Sequence, residues 1–244
     1  MDSPFYTGEI PYLTTEQMIE VDRAMIEDYR IDLIQMMENA GRNLAHLARV
    51  RFMGSDPREK PVVVLAGTGN NGGGALVCAR RLHNYGAQVQ VLITRPDASF
   101  KTVPAHQLEI LRRMELPITL AGDFPAIEPP ALVVDGVIGY SLKGAPRGGA
   151  AELIRWANAQ PCPILALDIP SGIDTTTGKV FNLAIEAAAT LTLALPKEGL
   201  RAPDVEQQVG ELYLADIGVP PALYAGLGLE VPAIFAESDI VRLR

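Results

Sequence analysis

The chain of 244 residues is poor in cysteine, histidine and tryptophan, and it contains no long apolar run. Its two cysteines, Cys78 and Cys162, lie far apart, which excludes a disulfide framework. The three histidines show no zinc-binding spacing with them. The N-terminus "MDSPFYTGEI" has no basic segment followed by an apolar one. The sequence therefore predicts neither a membrane span nor a signal peptide, and we expect a cytoplasmic protein.

The chain also lacks an excess of basic residues. It has 29 acidic and 21 basic side chains, and its formal net charge is −8. This balance disfavours nucleic acid or an anionic membrane as the main partner, because both attract clustered lysine and arginine. A small anionic ligand remains possible, since local backbone dipoles can hold one whatever the net charge.

Apolar residues are plentiful, at 48% of the chain, and many fall in short runs rich in β-branched residues. Such runs are too apolar on both faces for a solvent-exposed sheet and are typical of a parallel sheet covered by helices. Helical patterns separate the early runs, at Gly74 to Tyr85, about Pro104 to Met114 and about Gly148 to Asn158. The alternation predicts a mostly parallel, Rossmann-like α/β/α sandwich. The runs are "PVVVLAG", "QVQVLIT", "ALVVDGVI", "PILALDI", "TLTLAL" and "ELYLAD".

Two further helices are predicted before the first strand, within about residues 14–51. One begins at Thr14 or Thr15, with Gln17 placed for a capping box, and the other runs from about Asp32 to Arg51. Their apolar faces favour either core packing or a subunit contact, and we expect a homodimer formed through them. Residues 1–244 are interpreted as one domain whose α/β core spans about 61–221. The methionines on these faces are Met18, Met25, Met36 and Met37.

Glycine-containing loops follow the first, third and fourth predicted strands, where ligands bind in such sheets. The first loop, "GTGNNGGG", fits the dinucleotide fingerprint with Gly67, Gly69 and Gly72. The second strand, however, ends in Thr94 and Arg95 rather than in an acidic residue that would bind a ribose. Arginine there suits a 2′-phosphate, but exposed arginines at strand ends are common. An ordinary dinucleotide oxidoreductase is therefore disfavoured.

Oxygen-bearing side chains gather at the same strand ends. Asp135 and Asp168 each close an apolar strand, Ser171 follows in "DIPSG", and Asn71 lies in the glycine loop. Carboxylate, hydroxyl and amide oxygens are ligands that hard cations prefer. Alternatively, each aspartate caps the next turn, and Asn70 and Asn71 occupy unusual backbone angles in a tight turn.

Six motifs lie along the chain between about Leu13 and Pro221, namely "MENAG", "GTGNNGG", "DGVIGYSLKG", "DIPSGID", "PKEGL" and "ADIGVPP". In order and spacing they resemble the YjeF N-terminal domain family, whose best-known members are NAD(P)H-hydrate epimerases. The resemblance implies a Rossmann-like fold, commonly dimeric, and a substrate that is NADH or NADPH hydrated at C6 of the reduced nicotinamide ring. Such an epimerase interconverts the two C6 epimers so that a separate dehydratase can restore the coenzyme.

The resemblance also implies site residues and a cofactor. A potassium ion is typical of the family, and Asn71, Asp135 and Ser171 fall on its ligand positions. We expect Asp168, and in second place Asp135, to act as the acid or base. The positions that contact substrate in the family correspond to Asn70, Asn71, Gly72, Gly73, Gly74, Gly139, Tyr140, Ser141, Leu142, Lys143, Gly144, Ala145 and Asp168.

The glycine loop departs from the family pattern at its end. The family's usual loop reads GNNGGDG, whereas this chain has Gly74 in place of the aspartate and Ala75 in place of the last glycine. The alternative function is therefore a nucleotide-binding or scaffold domain with weakened catalysis. If Gly74 lies in the first turn of a helix, an aspartate there is favoured by the helix dipole, and Gly74→Asp is expected to be neutral or slightly stabilising.

Overall fold

The computed structural model describes residues 3–124 and 129–244, and within them one eight-stranded sheet forms the centre of the fold. The strand order is β3-β2-β1-β4-β5-β6-β7-β8, and every neighbouring pair is parallel except β7 and β8. The strands are β1 Pro61–Ala66, β2 Gln88–Ile93, β3 Ile118–Leu120, β4 Leu132–Gly136, β5 Ile164–Leu167, β6 Ala189–Leu193, β7 Glu211–Ala215 and β8 Ile240–Arg242.

The helices lie on both faces of this sheet. They are α1 Thr15–Glu27, α2 Leu33–Leu47, α3 Asn70–Asn84, α4 Thr102–Arg113, α5 Gly149–Asn158, α6 Glu206–Val209 and α7 Pro221–Gly226. Val62 and Val64 point to the face that packs against α3 and α4, whereas Val63 and Leu65 point to the face that packs against α5. Both sets of β1 side chains are therefore buried, as the apolar runs predicted, and the three-layer α/β/α arrangement is confirmed.

Helix α1 and the first half of α2 form an apolar cluster with β7 and α7, whereas Leu44, Ala45 and Leu47 in the second half of α2 join the core around α3. Thr14 caps α1 through the predicted capping box, with Gln17 N–H donating to the Thr14 hydroxyl over 3.1 Å. The second helix ends earlier than predicted, at Leu47, and a π-helical turn follows at Ala48–Phe52. The four methionines on the predicted apolar faces of α1 and α2 are buried, being at most 4% exposed. They therefore pack within the chain and leave no exposed stripe for a partner. None of the described helices is long and apolar enough to cross a membrane.

Three further features differ from the sequence-based prediction. Helix α3 begins at Asn70 rather than at Gly74, because Gly69 acts as its N-cap and the Gly73 N–H donates to the Gly69 carbonyl over 3.0 Å. Strand β3 extends the sheet beyond β2 with only three half-buried residues. Strand β8 pairs antiparallel with β7 and lies beyond the predicted end of the core at about residue 221.

Candidate active site

A cavity of about 640 Å³ opens at the carboxyl end of the sheet. The loops after β1, β4 and β5 form part of its wall, and α1 and α2 close it from above with apolar side chains such as Met18, Leu33 and Met37. Because β1 and β4 are neighbours whose crossovers run to opposite sides, this is the point at which such sheets bind ligands. The predicted crevice is therefore present.

The glycine loop brings its backbone to the edge of this cavity. A Cβ atom at Gly67 would lie 2.0 Å from the Val137 carbonyl oxygen, and one at Gly72 would lie 1.8 Å from the Gly67 carbonyl oxygen. Only glycine permits these approaches. They place Gly69 and the first turn of α3 at the cavity, where free N–H groups can receive an anionic group.

Asp135 and Ser171 lie beneath the cavity wall in a fully buried cluster. The Ser171 hydroxyl donates to Asp135 Oδ1 over 2.7 Å, and the Ser171 N–H donates to Oδ2 over 2.8 Å. The Val137 N–H also donates to Oδ1, over 3.1 Å. Burial nevertheless raises the pKa of Asp135 to about 6, and the hydrogen bonds from Ser171 and Val137 oppose that shift. The cluster ties the loop after β4 to the loop after β5.

Asn71 approaches the same cluster from the glycine loop. A Cβ atom at Gly139 would lie 3.4 Å from Asn71 Oδ1, so the amide sits directly against the segment that bonds Ser171. Its Nδ2 atom is buried and has no hydrogen-bond partner among the described residues. An unpaired buried amide is costly, so its environment suits a bound polar group. Asn71 also lines the cavity.

Asp168 lines the cavity and forms an ion pair with Lys197, whose side chain is fully buried. The Lys197 ammonium also donates to the Leu193 carbonyl over 2.8 Å and approaches the Thr192 hydroxyl at 3.3 Å. A buried lysine needs such partners, because leaving its charge unpaired in an apolar core is costly. The ammonium therefore holds the Asp168 carboxylate in place.

The backbone on both sides of this pair is constrained. Asp168 has φ of +68°, in the left-handed region that non-glycine residues adopt at an energetic cost. Lys197 is held by the N-terminal segment, since the Leu13 N–H donates to the Pro196 carbonyl over 2.8 Å and the Glu198 N–H donates to the Leu13 carbonyl over 2.9 Å. The carboxylate is thus fixed through its own backbone and through its partner.

A second carboxylate lines the cavity from α1. Asp22 accepts a hydrogen bond from the Tyr140 hydroxyl over 2.5 Å, and both residues belong to the cavity wall. Burial raises the pKa of Asp22, while the Tyr140 hydrogen bond and the charge of Lys197 lower it. Burial and the neighbouring Asp22 charge raise the pKa of Tyr140 well above its usual value.

The structure brings some of the predicted site residues together and leaves others apart. Asn70, Asn71, Gly74, Asp168 and the segment 139–141 line the cavity. The buried positions 72 and 73 lie in α3 behind the wall, and the segment 142–145 lies outside the cavity lining. Asp135 and Ser171 are in contact with each other but have no exposed surface, which favours a structural or ion-binding role over acid–base catalysis for that aspartate.

Two charged groups that shape the site, Asp22 and Lys197, were not predicted as site residues. Lys197 lies in the quoted motif "PKEGL", and its position directly after the apolar run "TLTLALP" is the signal that could have indicated burial. Asp22 lies four residues from Met18 and three from Met25, so it belongs to the apolar side of α1. A carboxylate on an apolar helix face indicates a partner, but the sequence does not identify Tyr140.

Gly74 lies in the second turn of α3, beyond the first-turn N–H groups at the helix N-terminus. A Cβ atom there would lie 2.8 Å from Leu167 Cδ2 and 3.8 Å from Ala40 Cβ. The expectation that Gly74→Asp is neutral or stabilising was therefore wrong in its premise, because the dipole acts within the first turn and the site is crowded. Ala75 packs elsewhere, with its Cβ 2.3 Å from a Cβ built at Gly136.

Three basic residues, Arg95, Lys101 and Arg147, line the outer part of the cavity. Each is exposed, and among the described residues none of the three forms an ion pair. Their positive charge at the mouth, despite a net charge of −8 for the chain, favours an anionic ligand.

The sequence matches the profile of a family described as YjeF-related protein N-terminus over residues 33–199. It is 42% identical to an "NAD(P)H-hydrate epimerase" of Dehalogenimonas lykanthroporepellens, over 98% of this chain and 96% of the relative. A protein of the same name from Truepera radiovictrix is 37% identical, over 83% of this chain and 87% of the relative. A "Bifunctional NAD(P)H-hydrate repair enzyme Nnr" of Salinibacter ruber is 35% identical, and the match spans 86% of this chain but 41% of that longer protein.

The fold is similar to that of a solved protein. The crystal structure of the yeast protein ynu0 superimposes with a TM-score of 0.77 at 26% sequence identity. The match covers 96% of this chain and 100% of the yeast chain. The helices before β1 and the strands after β6 thus belong to the shared fold, because so high a coverage includes both.

Proposed function

The chain belongs to the family of YjeF-related protein N-termini, and from that premise we propose that it is an NAD(P)H-hydrate epimerase, an isomerase of nicotinamide nucleotide repair. The observation that carries the proposal is the near full-length similarity to relatives of that name, joined to a cavity that contains a fixed carboxylate, Asp168. The substrate is NADH or NADPH that carries a hydroxyl at C6 of the reduced ring.

The chemistry requires inversion at one carbon. C6 is bonded to ring N1, whose lone pair assists departure of the hydroxyl and leaves a planar, iminium-like centre. Water then adds to the other face. The departing hydroxyl takes a proton from an acid, and the added water gives a proton to a base, each contribution being worth roughly 10²–10⁴-fold in rate.

Asp168 is the group that we assign to proton transfer at C6. It lines the cavity, and Lys197 holds it in one position without blocking it from the cavity wall. A fixed carboxylate loses little freedom on reaching the reactive geometry. Apolar side chains of α1 and α2 exclude bulk water from the planar intermediate, and the first turn of α3 offers N–H groups to the phosphates.

We further propose that Asn71, Asp135 and Ser171 hold a potassium ion. Their ligand atoms are amide, carboxylate and hydroxyl oxygens, and Asn71 Oδ1 lies against the segment that bonds Ser171. Oxygen donors of this kind fit a hard cation. A bound ion would supply fixed positive charge beside the nucleotide phosphates and would compensate the buried Asp135 carboxylate.

A turnover assay tests the proposed function. The purified protein is given one C6 epimer of NADH hydrate or NADPH hydrate, and formation of the other epimer is followed by chromatography. In water enriched in ¹⁸O, each inversion exchanges the C6 hydroxyl oxygen with solvent. We expect Asp168→Asn to reduce kcat by about 10²–10⁴-fold. Because this change leaves the Lys197 ammonium buried without its carboxylate, circular dichroism of the variant is used to check that it is folded. No inversion by the unmodified protein contradicts the proposal.

The loop departure at Gly74 keeps a second candidate open, namely a nucleotide-binding domain with weakened catalysis. Because residue 74 is glycine, the carboxylate typical of the family has no counterpart here, and the Leu167 side chain lies beside this position. The same assay distinguishes the candidates. Binding of the hydrate without inversion supports the weakened domain, and inversion supports the epimerase.

The localisation, the oligomeric state and the pathway partner are also proposals. We propose a cytoplasmic homodimer that works with a separate dehydratase, which consumes one of the two epimers. Ile19, Ile26 and Tyr29, between 38% and 53% exposed on or directly after α1, are the apolar residues available for a second copy. The longer bifunctional relatives are named as repair enzymes, which supports a dehydratase as the pathway partner.

A further inference from the structure

Inversion at C6 makes a geometric demand that one carboxylate does not meet. The hydroxyl leaves from one face of the nicotinamide ring and water adds to the other. A group fixed beside one face cannot serve both steps unless the ring turns over in the cavity. Asp168 is fixed by Lys197 and by its own backbone, so a second proton-transfer group is needed.

The cavity wall offers few candidates for this second group. Apart from Asp168, its ionisable members among the described residues are Asp22, Tyr140 and the basic side chains at the mouth. Arginine does not give up its proton in proteins, and Lys101 is exposed at the rim. Asp135 does not line the cavity, and both of its oxygens accept hydrogen bonds.

We propose that Asp22 and Tyr140 form the second proton-transfer pair of the epimerisation, serving the face of the ring opposite to Asp168. This inference rests on the proposed function. It concerns groups on α1 and on the loop after β4, neither of which is a predicted potassium ligand.

The pair is held in a fixed geometry. The Tyr140 hydroxyl donates to Asp22 Oδ2 over 2.5 Å, and the Thr175 hydroxyl donates to the Tyr140 carbonyl over 3.2 Å. Thr175 is also 2.7 Å from the Thr15 hydroxyl at the start of α1. The helix that carries the carboxylate and the loop that carries the phenol are therefore tied to the same threonine.

The surroundings favour a proton on this pair. Burial raises the pKa of Asp22, the charge of Asp168 adds to the rise, and Lys197 and the Tyr140 hydrogen bond oppose it. Lys197 and Asp168 are the charged groups close enough to act on the pKa of Asp22. An aspartic acid that retains its proton at higher pH than an exposed one is suited to protonate a leaving hydroxyl.

The proton balance closes over one inversion. In one direction, protonated Asp22 gives its proton to the C6 hydroxyl, directly or through the Tyr140 hydroxyl, and the C–O bond breaks to release water. Water then adds to the other face, the new C–O bond forms, and Asp168 takes the proton. The inversion leaves Asp22 ionised and Asp168 protonated, and exchange of these protons with solvent restores both groups before the next turnover. In the reverse direction the two carboxyl groups exchange roles, and one water is released for each water added.

Single substitutions in the otherwise intact chain test the pair. Tyr140→Phe and Asp22→Asn should each lower kcat by about 10²-fold or more, with KM changed by less than about threefold. The double variant should be no slower than the slower single variant, because the two groups act as one unit. Glu16→Gln is the matched control, since it replaces an exposed carboxylate on the same helix outside the cavity lining, and it should keep kcat within about threefold.

The pH profile separates proton transfer from a merely structural tie. In the direction in which Asp22 must be protonated, kcat falls as pH rises through its pKa. Asp22→Asn should remove this fall of kcat at high pH, the alkaline limb of the profile. Tyr140→Phe removes a hydrogen bond that stabilises the carboxylate, so the limb should move to higher pH.

Several results would overturn the inference. Near-normal kcat in both variants overturns it while leaving the proposed function intact. If the variants instead raise KM and lower thermal stability while the pH profile stays unchanged, the pair has a structural role, and the inference is overturned as well. Absence of turnover in the unmodified protein overturns the proposed function and this inference together.

Discussion

Lys197 is the residue on which the candidate site most depends. Its ammonium group is fully buried, and its three partners are Asp168, Thr192 and the Leu193 carbonyl. Replacing a buried ion pair with apolar residues is often tolerated, whereas removing one partner strands the other charge. The pair therefore affects stability and function differently.

We predict that Lys197→Met lowers the free energy of unfolding by about 3–5 kcal/mol, because Asp168 then remains buried without its cation. The double variant Lys197→Met with Asp168→Asn should recover much of this loss while remaining inactive. Urea unfolding, followed by circular dichroism, measures both. Equal instability of the single and double variants would show that the lysine acts through packing of its aliphatic stem.

At the scale of elements, α3 matters because its first turn begins at the cavity. Its start at Asn70 moves Gly74 into the second turn, next to the buried Leu167 side chain. The glycine thus packs closely against a side chain at the end of β5, and an added side chain there would have to displace Leu167.

We predict that Gly74→Ala lowers the free energy of unfolding by about 1 kcal/mol, since the strain of an added methyl group exceeds the gain in helix propensity. Gly74→Asp should be less stable still, because its larger side chain must displace the Leu167 Cδ2 atom before it can reach the cavity. Adding Ala75→Gly should not restore stability, because Ala75 faces Gly136 instead. Thermal denaturation of the three variants checks the order, and a more stable aspartate variant would contradict it.

Helix α1 has two different faces. Its methionines are buried in the chain's own core, so they supply no reason for self-association. Its exposed apolar side chains, Ile19 and Ile26, lie seven residues apart, two helical turns, on one stripe. Apolar stripes of this kind mark contact surfaces more often than solvated ones.

We predict a dimer formed through this stripe. Sedimentation velocity at micromolar concentration should give a dimer for the unmodified chain and a monomer for Ile19→Glu with Ile26→Glu. Glu16→Lys, which alters charge near the start of the same helix, is the control and should stay dimeric. A monomeric unmodified chain would contradict the prediction.

At the scale of the whole molecule, the proposed potassium site joins loops from three strands. Ligands on α3, β4 and the loop after β5 are brought to one sheet edge, so a bound ion would cross-link the carboxyl ends of β1, β4 and β5. An ion that binds only the folded chain stabilises it in proportion to the logarithm of its concentration.

We predict that potassium chloride raises the Tm by about 5–10 °C over choline chloride of equal ionic strength, at roughly 100 times the Kd. Ser171→Ala should lose most of this difference. The comparison uses differential scanning fluorimetry, with sodium chloride to test selectivity. Equal Tm values in potassium and choline would argue against the site.

Much of the architecture could be predicted from the chain alone, and the reasons are local. Strands such as β1 and β4 are continuous apolar runs, and their glycine and aspartate ends identify the ligand edge. Strand β3 has only three half-buried residues, too few for a pattern, and β8 becomes a strand by pairing with β7. The Asp22–Tyr140 and Asp168–Lys197 pairs join residues from distant parts of the chain, so no local pattern reveals them.

The backbone pairing of Leu13 with the residues around Lys197 has a consequence for biosynthesis. Leu13 leaves the ribosome early, whereas its partners emerge only after most of the chain has been made. At ordinary rates of translation this delay is on the order of ten seconds or more. During that time the glycine loop is already synthesised, but Asp168 lacks its cation and the cavity lacks its cover. The nascent chain therefore cannot sequester nucleotides until synthesis is nearly finished, and trapping of nucleotide by stalled chains of increasing length should begin abruptly after Lys197 emerges.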